Sequence, residues 1–106
     1  MNYVKIKKNK DYQKLFQKGK RAFSSSLTIL YEKSNKTGMG ICIGKKYGKS
    51  VQRNRIKRLL RAAFYPEADK IKEISVLLLP KVAEEYSFET FKRDLQYLFK
   101  KEKLYK

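Results

Sequence analysis

The most informative segment of the sequence is Lys45-Lys46-Tyr47-Gly48-Lys49-Ser50-Val51-Gln52-Arg53-Asn54-Arg55-Ile56-Lys57-Arg58-Leu59-Leu60-Arg61-Ala62-Ala63-Phe64. Its apolar residues recur three and four positions apart, which is the spacing of one face of an α-helix. They are Ile56, Leu59, Leu60 and Ala63, with Phe64 at the margin. We therefore predict an amphipathic helix whose apolar stripe faces a core.

The other side of this predicted helix is cationic. It carries Asn54, Arg55, Lys57, Arg58 and Arg61, and Arg53 lies near the edge of the apolar stripe. Solvated helix faces usually mix Glu with Lys, because like charges four residues apart repel and opposite charges attract. No carboxylate offsets these cations, and the planar guanidinium group matches phosphate. A surface that binds a polyanion is therefore a better interpretation than a surface helix that is merely soluble.

The residues before this helix support the same interpretation. Gly44 and Gly48 permit a tight turn, and Ser50 is expected to cap the helix. Free N–H groups and the positive end of the helix dipole attract phosphate. Three lysines add to that potential, namely Lys45, Lys46 and Lys49. We predict a second phosphate contact at the start of the helix.

Length and composition restrict the possible classes of protein. The 106 residues suit one domain, and 27 Lys and Arg against 10 Asp and Glu give a formal charge of +17, which is typical of nucleic-acid binders. The sequence has no histidine, which excludes a Ser-His-Asp or Cys-His nucleophile and any histidine-containing metal site. Cys42 is the single cysteine, so no internal disulfide is possible, and it is expected to be a small buried strand residue. No apolar run approaches the roughly 18 residues of a membrane span, so we expect a cytoplasmic protein.

Periodicity predicts helices at both ends of the chain. Residues 1–8 are basic and aperiodic, which indicates an extended arm, and residues 103–106 are expected to fray. Residues 11–18 have the spacing of a short amphipathic helix, from which Tyr12, Leu15 and Phe16 would all be core residues. Ser87 is expected to cap a final amphipathic helix.

Apolar alternation predicts strands between these helices. Residues 27–31 form a strand, turn residues follow, and residues 39–43 are the predicted hairpin partner. The continuous apolar run at residues 74–79 indicates a strand buried on both faces. The resulting order of helices and strands is that of a single α+β domain over residues 1–106.

The motifs resemble one known family. Lys45-Lys46-x-Gly48-Lys49-x-Val51-x-Arg53-Asn54-Arg55-Ile56-Lys57-Arg58-Leu59-x-Arg61 resembles the Arg-Asn-Arg signature of the bacterial ribonuclease P protein subunit. Further likeness lies in Asp11-Tyr12-Gln13-Lys14-Leu15-Phe16-x-x-Gly19-Lys20 for the first helix, in Leu30-Tyr31 for the second strand, and in Ile74 to Pro80 for the last strand. The likeness covers nearly the whole chain. One departure is Ser24-Ser25-Ser26-Leu27-Thr28, where an Arg and a large apolar residue usually precede the second strand.

The resemblance implies a fold and a function. The fold is a four-stranded sheet with three helices in the order α-β-β-β-α-β-α, with a left-handed β-α-β crossover that general rules would not predict. The function is that of the protein subunit of an endoribonuclease, which binds a catalytic RNA and the 5′ leader of precursor tRNA and assists removal of the leader. The hydrolytic chemistry is then expected in the RNA, with Mg²⁺ held mainly by the RNA and none bound by the protein alone.

The resemblance also implies site residues. The catalytic RNA is expected to contact Lys45, Lys46, Lys49, Arg53, Asn54, Arg55, Lys57, Arg58 and Arg61. The leader is expected to lie in a groove lined by Tyr12, Lys14, Phe16 and Tyr31, where bases stack on aromatic rings. We expect no catalytic residue and no metal ligand in this chain.

Other functions fit the same charge and size. A structural RNA-binding protein, such as a ribosomal component, fits the charge and size equally well, and only the Arg-Asn-Arg motif favours the ribonuclease P subunit over it. A helix-turn-helix DNA reader is weaker, because residues 37–44 are predicted as strand where a second helix is needed. A membrane-active cationic helix is weaker still, because the turn before the helix is tightly specified.

Overall fold

Residues 3–106, described by a computed structural model, form three helices and one mixed β-sheet. In chain order the elements are β1 (Val4–Lys5), α1 (Asn9–Lys18), β2 (Lys20–Phe23), β3 (Leu27–Lys33), β4 (Gly38–Ile41), α2 (Ser50–Phe64), β5 (Ile74–Pro80) and α3 (Phe88–Lys101). Single turns of 3₁₀ helix lie before and after α2, at Lys45–Tyr47 and Tyr65–Glu67. Within the described residues no helix is long and apolar enough to cross a membrane.

The sheet has five strands in the order β1-β4-β5-β3-β2. Strand β5 is central, antiparallel to β3 and parallel to β4. The prediction of four strands is corrected by β1, which pairs Val4 with Gly38 and Lys5 with Met39. Two residues are too few to show a periodic pattern, so the sequence indicated only an extended arm there. Residues 1 and 2 of that arm lie outside the described residues.

The predicted hairpin between β3 and β4 is wrong, because β5 lies between them. Neighbouring strands are about 4.8 Å apart, so the chain must cross roughly 10 Å between β3 and β4, and the four residues 34–37 can span about 13 Å. Strand β5 comes later in the chain, so the sequence of residues 34–37 does not indicate that β5 lies between β3 and β4. Helix α2 connects the parallel strands β4 and β5 as a β-α-β unit. The left-handed sense of this crossover stays a prediction of the family resemblance.

The sheet is buried on both faces, as the apolar run of β5 predicts. Leu77 packs with Leu15 and Leu30 under α1, whereas Val76 and Leu78 belong to the larger core under α2 and α3. All five side chains are essentially inaccessible to water. The fold is therefore one sheet between α1 on one face and α2 with α3 on the other.

The C-terminal residues 103–106 are ordered against the domain, which corrects the expected fraying. Leu104 is buried, and Tyr105 forms a β-bridge with Ile71 and donates its hydroxyl hydrogen to Glu67. The backbone N–H of Leu104 donates to the carbonyl of Phe99, which closes the end of α3. A buried apolar residue after the helix end explains why the last residues do not fray.

Asp94 of α3 joins that helix to the turn between β2 and β3. Its carboxylate accepts hydrogen bonds from the Ser25 hydroxyl and from both the hydroxyl and the backbone N–H of Ser26, and Arg93 lies 3.6 Å away. Burial opposes ionisation of Asp94, but these hydrogen bonds and Arg93 outweigh it and lower the pKa of Asp94. The serines that depart from the family pattern therefore stabilise an ionised carboxylate.

The link between Asp94 and Ser26 predicts a pH dependence of stability. Because the pKa of Asp94 is lower in the folded state, its contribution is present above its ordinary pKa and lost as the pH falls below about 4. Asp94→Asn should lower the free energy of unfolding by about 1.5 to 3 kcal/mol at pH 7. Urea unfolding of both proteins should give a difference that shrinks toward pH 3. A difference independent of pH would contradict this assignment.

Candidate RNA interface

Helix α2 is fixed to the core by its apolar stripe, as its periodicity predicts. Ile56, Leu60, Ala63 and Phe64 are fully buried, and Leu59 is half-buried at the edge. Phe64 makes edge-to-face ring contacts with Tyr3 and with Phe99 of α3. Burial of one face leaves the opposite face of α2 directed away from the core.

The outward face of α2 carries the predicted cations. Asn54, Arg55, Arg58 and Arg61 are exposed, whereas Arg53 and Lys57 are half-buried. Among residues 3–106 the ion pairs join Lys14 to Glu32, Lys70 to Glu67 and Arg93 to Asp94, so no cation of α2 is paired with a carboxylate. The face therefore keeps its charge for an external anion.

The loop before α2 is fixed by Tyr47 and leaves its lysines exposed. The hydroxyl of Tyr47 donates to the carbonyl of Pro80 at 2.6 Å, and Lys46 lies over the Tyr47 ring. Gly48 has φ of 108°, a conformation that favours glycine. Three lysines of the loop are exposed, namely Lys45, Lys46 and Lys49.

The predicted cap at Ser50 is corrected by the structure. Lys49 occupies the cap position, no side chain caps the helix, and Ser50 is the first helical residue, where its hydroxyl accepts from Arg53 at 3.2 Å. The first N–H groups of a helix have no partner within it. The positive end of α2 thus faces outward beside the exposed lysines, as a phosphate contact requires.

A groove at the β4 edge of the sheet brings together residues from both predicted sites. Tyr12 of α1 lies on one side, and Lys57 and Arg61 of α2 lie on the other. The groove has a volume of about 380 Å³ and is also lined by Tyr3, Lys5, Met39, Gly40 and Ile41. The sequence had placed Tyr12 and the α2 cations in separate sites.

Tyr12 is held in this groove by its hydroxyl group, which donates to the backbone carbonyl of Ile6 at 3.0 Å. Burial, with the nearby Cys42 thiol as a smaller cause, raises the pKa of Tyr12, so the hydroxyl stays protonated and can donate. A Cβ atom on Gly40 would lie 3.0 Å from that hydroxyl and 3.2 Å from Leu77. Glycine at this position therefore lets Tyr12 approach the sheet.

The two other α1 residues of the predicted leader site lie at the surface. Phe16 is 41% exposed, one helical turn after Tyr12, and exposed Lys14 forms an ion pair with Glu32 at 3.4 Å. Only Leu15 of α1 is fully buried. The expectation from spacing that Tyr12, Leu15 and Phe16 are all core is therefore wrong for Phe16, whereas Tyr12 is half-buried and packs against the small core around Leu15.

Tyr31 is not part of the groove, which corrects its assignment to the leader site. Side chains alternate along β3, so Tyr31 shares a face with Leu27 and Ile29, in the core under α2 and α3. It is buried, and its hydroxyl donates to Glu102. Burial, together with this hydrogen bond, raises the pKa of Tyr31 to about 12.

Two groove residues were missed by sequence reasoning. Tyr3 and Lys5 both lie in the segment predicted as an arm, and both line the groove because β1 pairs with β4. Their alternation with Val4 is the only signal in the sequence, and three residues are too few to distinguish a strand from an extended arm.

The described residues form no large cluster of side chains that could ligate a metal ion. Among residues 3–106 no group of three or more His, Cys, Asp or Glu side chains lies close enough to hold a metal ion. The carboxylates of Glu32, Glu67 and Asp94 are instead occupied by ion pairs or hydrogen bonds within the fold.

An unpaired cationic helix face beside a groove that holds an aromatic ring is typical of the class of RNA-binding proteins. A family model described as Ribonuclease P matches residues 1–103. The chain is 36% identical over 107 residues to the ribonuclease P protein component of Bacillus pumilus, which covers 95% of this chain and 89% of that relative. The chain therefore belongs to the ribonuclease P protein family, whose members are protein subunits of the endoribonuclease that matures the 5′ end of tRNA.

Solved structures agree with the fold. The RNase P protein of Staphylococcus aureus superposes with a TM-score of 0.86 at 24% identity, covering 97% of this chain and 98% of that chain. That of Thermotoga maritima superposes with a TM-score of 0.81 at 25% identity, covering 92% and 96%. Family membership decides against the ribosomal, DNA-reading and membrane-active alternatives.

The exposure of α1 predicts unequal effects of two substitutions. Leu15→Ala should lower the free energy of unfolding by about 2 to 5 kcal/mol, because it opens a cavity under α1. Phe16→Ala should change it by less than about 1 kcal/mol, because the ring lies at the surface. Urea unfolding followed by circular dichroism measures both, and equal losses would place Phe16 in the core after all.

Proposed function

We propose that the outward face of α2 and the loop before it bind the catalytic RNA of ribonuclease P. The cations of this face and loop are exposed or half-buried, and among the described residues none is paired with a carboxylate. Arg55 and Arg58 offer planar donors for phosphate oxygens, and the uncapped start of α2 adds backbone N–H groups. Their unpaired charge supports a phosphate interface better than a solvated surface.

The second part of the proposal is that the groove at the β4 edge binds the 5′ leader of precursor tRNA. The observation that carries it is the position of Tyr12 opposite Lys57 and Arg61 across one groove. A ring and two cations that line the same groove can bind one strand, with a base stacked on the ring and the flanking phosphates bound by the cations. Phe16, one turn further along α1, extends the aromatic surface toward solvent, whereas Lys14 is ion-paired with Glu32 and lies outside the groove.

In this proposal the bond is broken by the RNA, not by the protein. The chain offers no histidine, and its described carboxylates form no metal site, so Mg²⁺ is held by RNA phosphates. The protein lowers the repulsion between two polyanions and orients the leader. The proposed setting is the cytoplasm.

Substitutions on α2 test the contact with the catalytic RNA. Each lost phosphate contact should reduce the slope of log affinity against log salt by about 0.7 to 0.9. Arg55→Ala and Arg58→Ala should each weaken binding and reduce the slope, whereas Lys72→Ala, an exposed lysine outside the interface, should do neither. Binding of the RNA is titrated at several salt concentrations after circular dichroism has shown that each protein is folded. Unchanged slopes for both arginine variants would refute the assignment.

Substitutions in α1 test leader binding separately. Phe16→Leu keeps an apolar side chain but removes the ring, and Tyr12→Leu does the same in the groove. Each should weaken binding of the holoenzyme to leader-bearing precursor tRNA by about tenfold, the loss of one stacked base. Phe16→Tyr, which keeps the ring, is the matched control. Mature tRNA has no leader, so its affinity should not change, and equal weakening toward both RNAs would exclude stacking on the leader.

A further inference from the structure

A second exposed aromatic surface lies away from the groove. Phe23 at the end of β2 is 56% exposed, and Tyr97 of α3 is 53% exposed. Both line one shallow depression of about 440 Å³, together with Arg93 and Asp94 of α3 and the turn residues Ser24 and Ser25. We call Phe23, Arg93, Tyr97 and Lys101 the edge patch.

The two rings of the edge patch contribute little to the core. The neighbouring Ala22 is the residue of β2 that is buried. Helix α3 is anchored by fully buried side chains of its other face, including Phe91, Leu95 and Leu98. Packing therefore gives no reason for a large ring at either position.

The edge patch also carries cations that remain available. The ammonium group of Lys101 lies 5.8 Å from the centre of the Tyr97 ring. The side chain of Arg93 is 70% exposed, and it is Nε that faces Asp94, at 3.6 Å. A guanidinium group has five donors in a planar fork, so the terminal nitrogens of Arg93 can bind an external anion.

The edge patch is separate from the groove. Strand β2 forms one edge of the sheet and β1 the other, so about four strand spacings, or roughly 19 Å, lie between the two edges. The groove adjoins β1 and β4, whereas the edge patch adjoins β2 and α3. A nucleotide stacked in one cannot touch the other.

Charge indicates the kind of partner. Eight of the 27 Lys and Arg belong to the α2 face and its loop, which leaves 19 elsewhere against all 10 Asp and Glu. The remainder of the chain is thus still strongly cationic, so a second copy of the chain would be repelled. Exposed rings beside cations are instead the features of surfaces that bind single-stranded nucleic acid.

We propose that the edge patch binds an unpaired segment of RNA, with bases stacked on Phe23 and Tyr97 and flanking phosphates bound by Arg93 and Lys101. This site goes beyond the two contacts proposed above. The unpaired segment can come from the catalytic RNA or from the precursor, since both offer the same chemistry.

The absence of tryptophan from the sequence provides a local probe. Phe23→Trp puts the only indole of the protein in the edge patch, and stacking on a base should quench its emission. Titration with a six-nucleotide oligoadenylate should give saturable quenching. Adding Tyr97→Ala should weaken this binding about tenfold, and adding Tyr97→Phe, which keeps the ring, should not. Adding Arg93→Gln should reduce the salt slope, whereas Lys72→Gln should not.

A groove variant separates this test from the leader proposal. Tyr12→Leu combined with Phe23→Trp should leave the quenching constant unchanged, because the groove is at the other edge. If quenching instead weakens with Tyr12→Leu and not with Tyr97→Ala, the oligonucleotide binds the groove and the edge-patch proposal fails. Absence of quenching, with circular dichroism showing a folded protein, also overturns it.

Binding measurements with Tyr97→Ala in the otherwise native chain identify the source of the RNA. Weakened binding of the catalytic RNA alone assigns the unpaired segment to that RNA. Weakened binding only of precursor tRNA by the holoenzyme assigns it to the precursor. Native affinity in both measurements, including the case in which the edge patch binds an acidic protein instead, overturns the proposal.

Discussion

The fold depends on β5, which is the only strand hydrogen-bonded to both halves of the described sheet. It pairs with Leu27–Lys33 on one side and Gly38–Ile41 on the other. Its side chains alternate between the two cores, with Leu77 under α1 and Leu78 under α2 and α3. Without β5, neither core would pack against a continuous sheet. The position of β4, and with it the groove, is therefore set by a strand more than 30 residues later in the sequence.

Burial of the apolar stripe allows α2 to keep an unpaired cationic face. Like charges three or four residues apart, such as Lys57 and Arg61, destabilise a helix by about 0.2 to 0.5 kcal/mol per pair. Burial of one large apolar side chain, such as Ile56 or Leu60, contributes about 1.5 to 3 kcal/mol. Few such pairs occur on α2, so burial outweighs repulsion. The cations are consequently held in position before any RNA arrives, which reduces the ordering that binding requires.

Local patterns predicted α1, α2, α3, the buried strand β5 and the cationic face, because each depends on residues close in sequence. Pairing between β3, β4 and β5 could not be predicted, because the turn before β4 is compatible with a hairpin and the competing strand comes later. The burial of Tyr31 could have been predicted from strand alternation, since it shares a face with Leu27 and Ile29. The family likeness instead assigned Tyr31 to the leader groove, which lies elsewhere. The exposure of Phe16 could not be predicted from spacing, because Tyr12, Leu15 and Phe16 share one side of α1 and only Leu15 is fully buried.

The shape of the groove follows from how little of β4 is covered by β1. Among residues 3–106, pairing of β1 stops at Met39, and no described strand pairs with the outer edge of β4 beyond that residue. Gly40 has no side chain there, and Tyr12 occupies the space with its hydroxyl fixed to the carbonyl of Ile6. The Tyr12 ring is thus positioned by Ile6, which directly follows β1, the strand at the edge of the sheet. A ring held by a backbone hydrogen bond loses less conformational entropy on stacking than the exposed Phe16, so within the proposed leader site Tyr12 is the better preorganised contact.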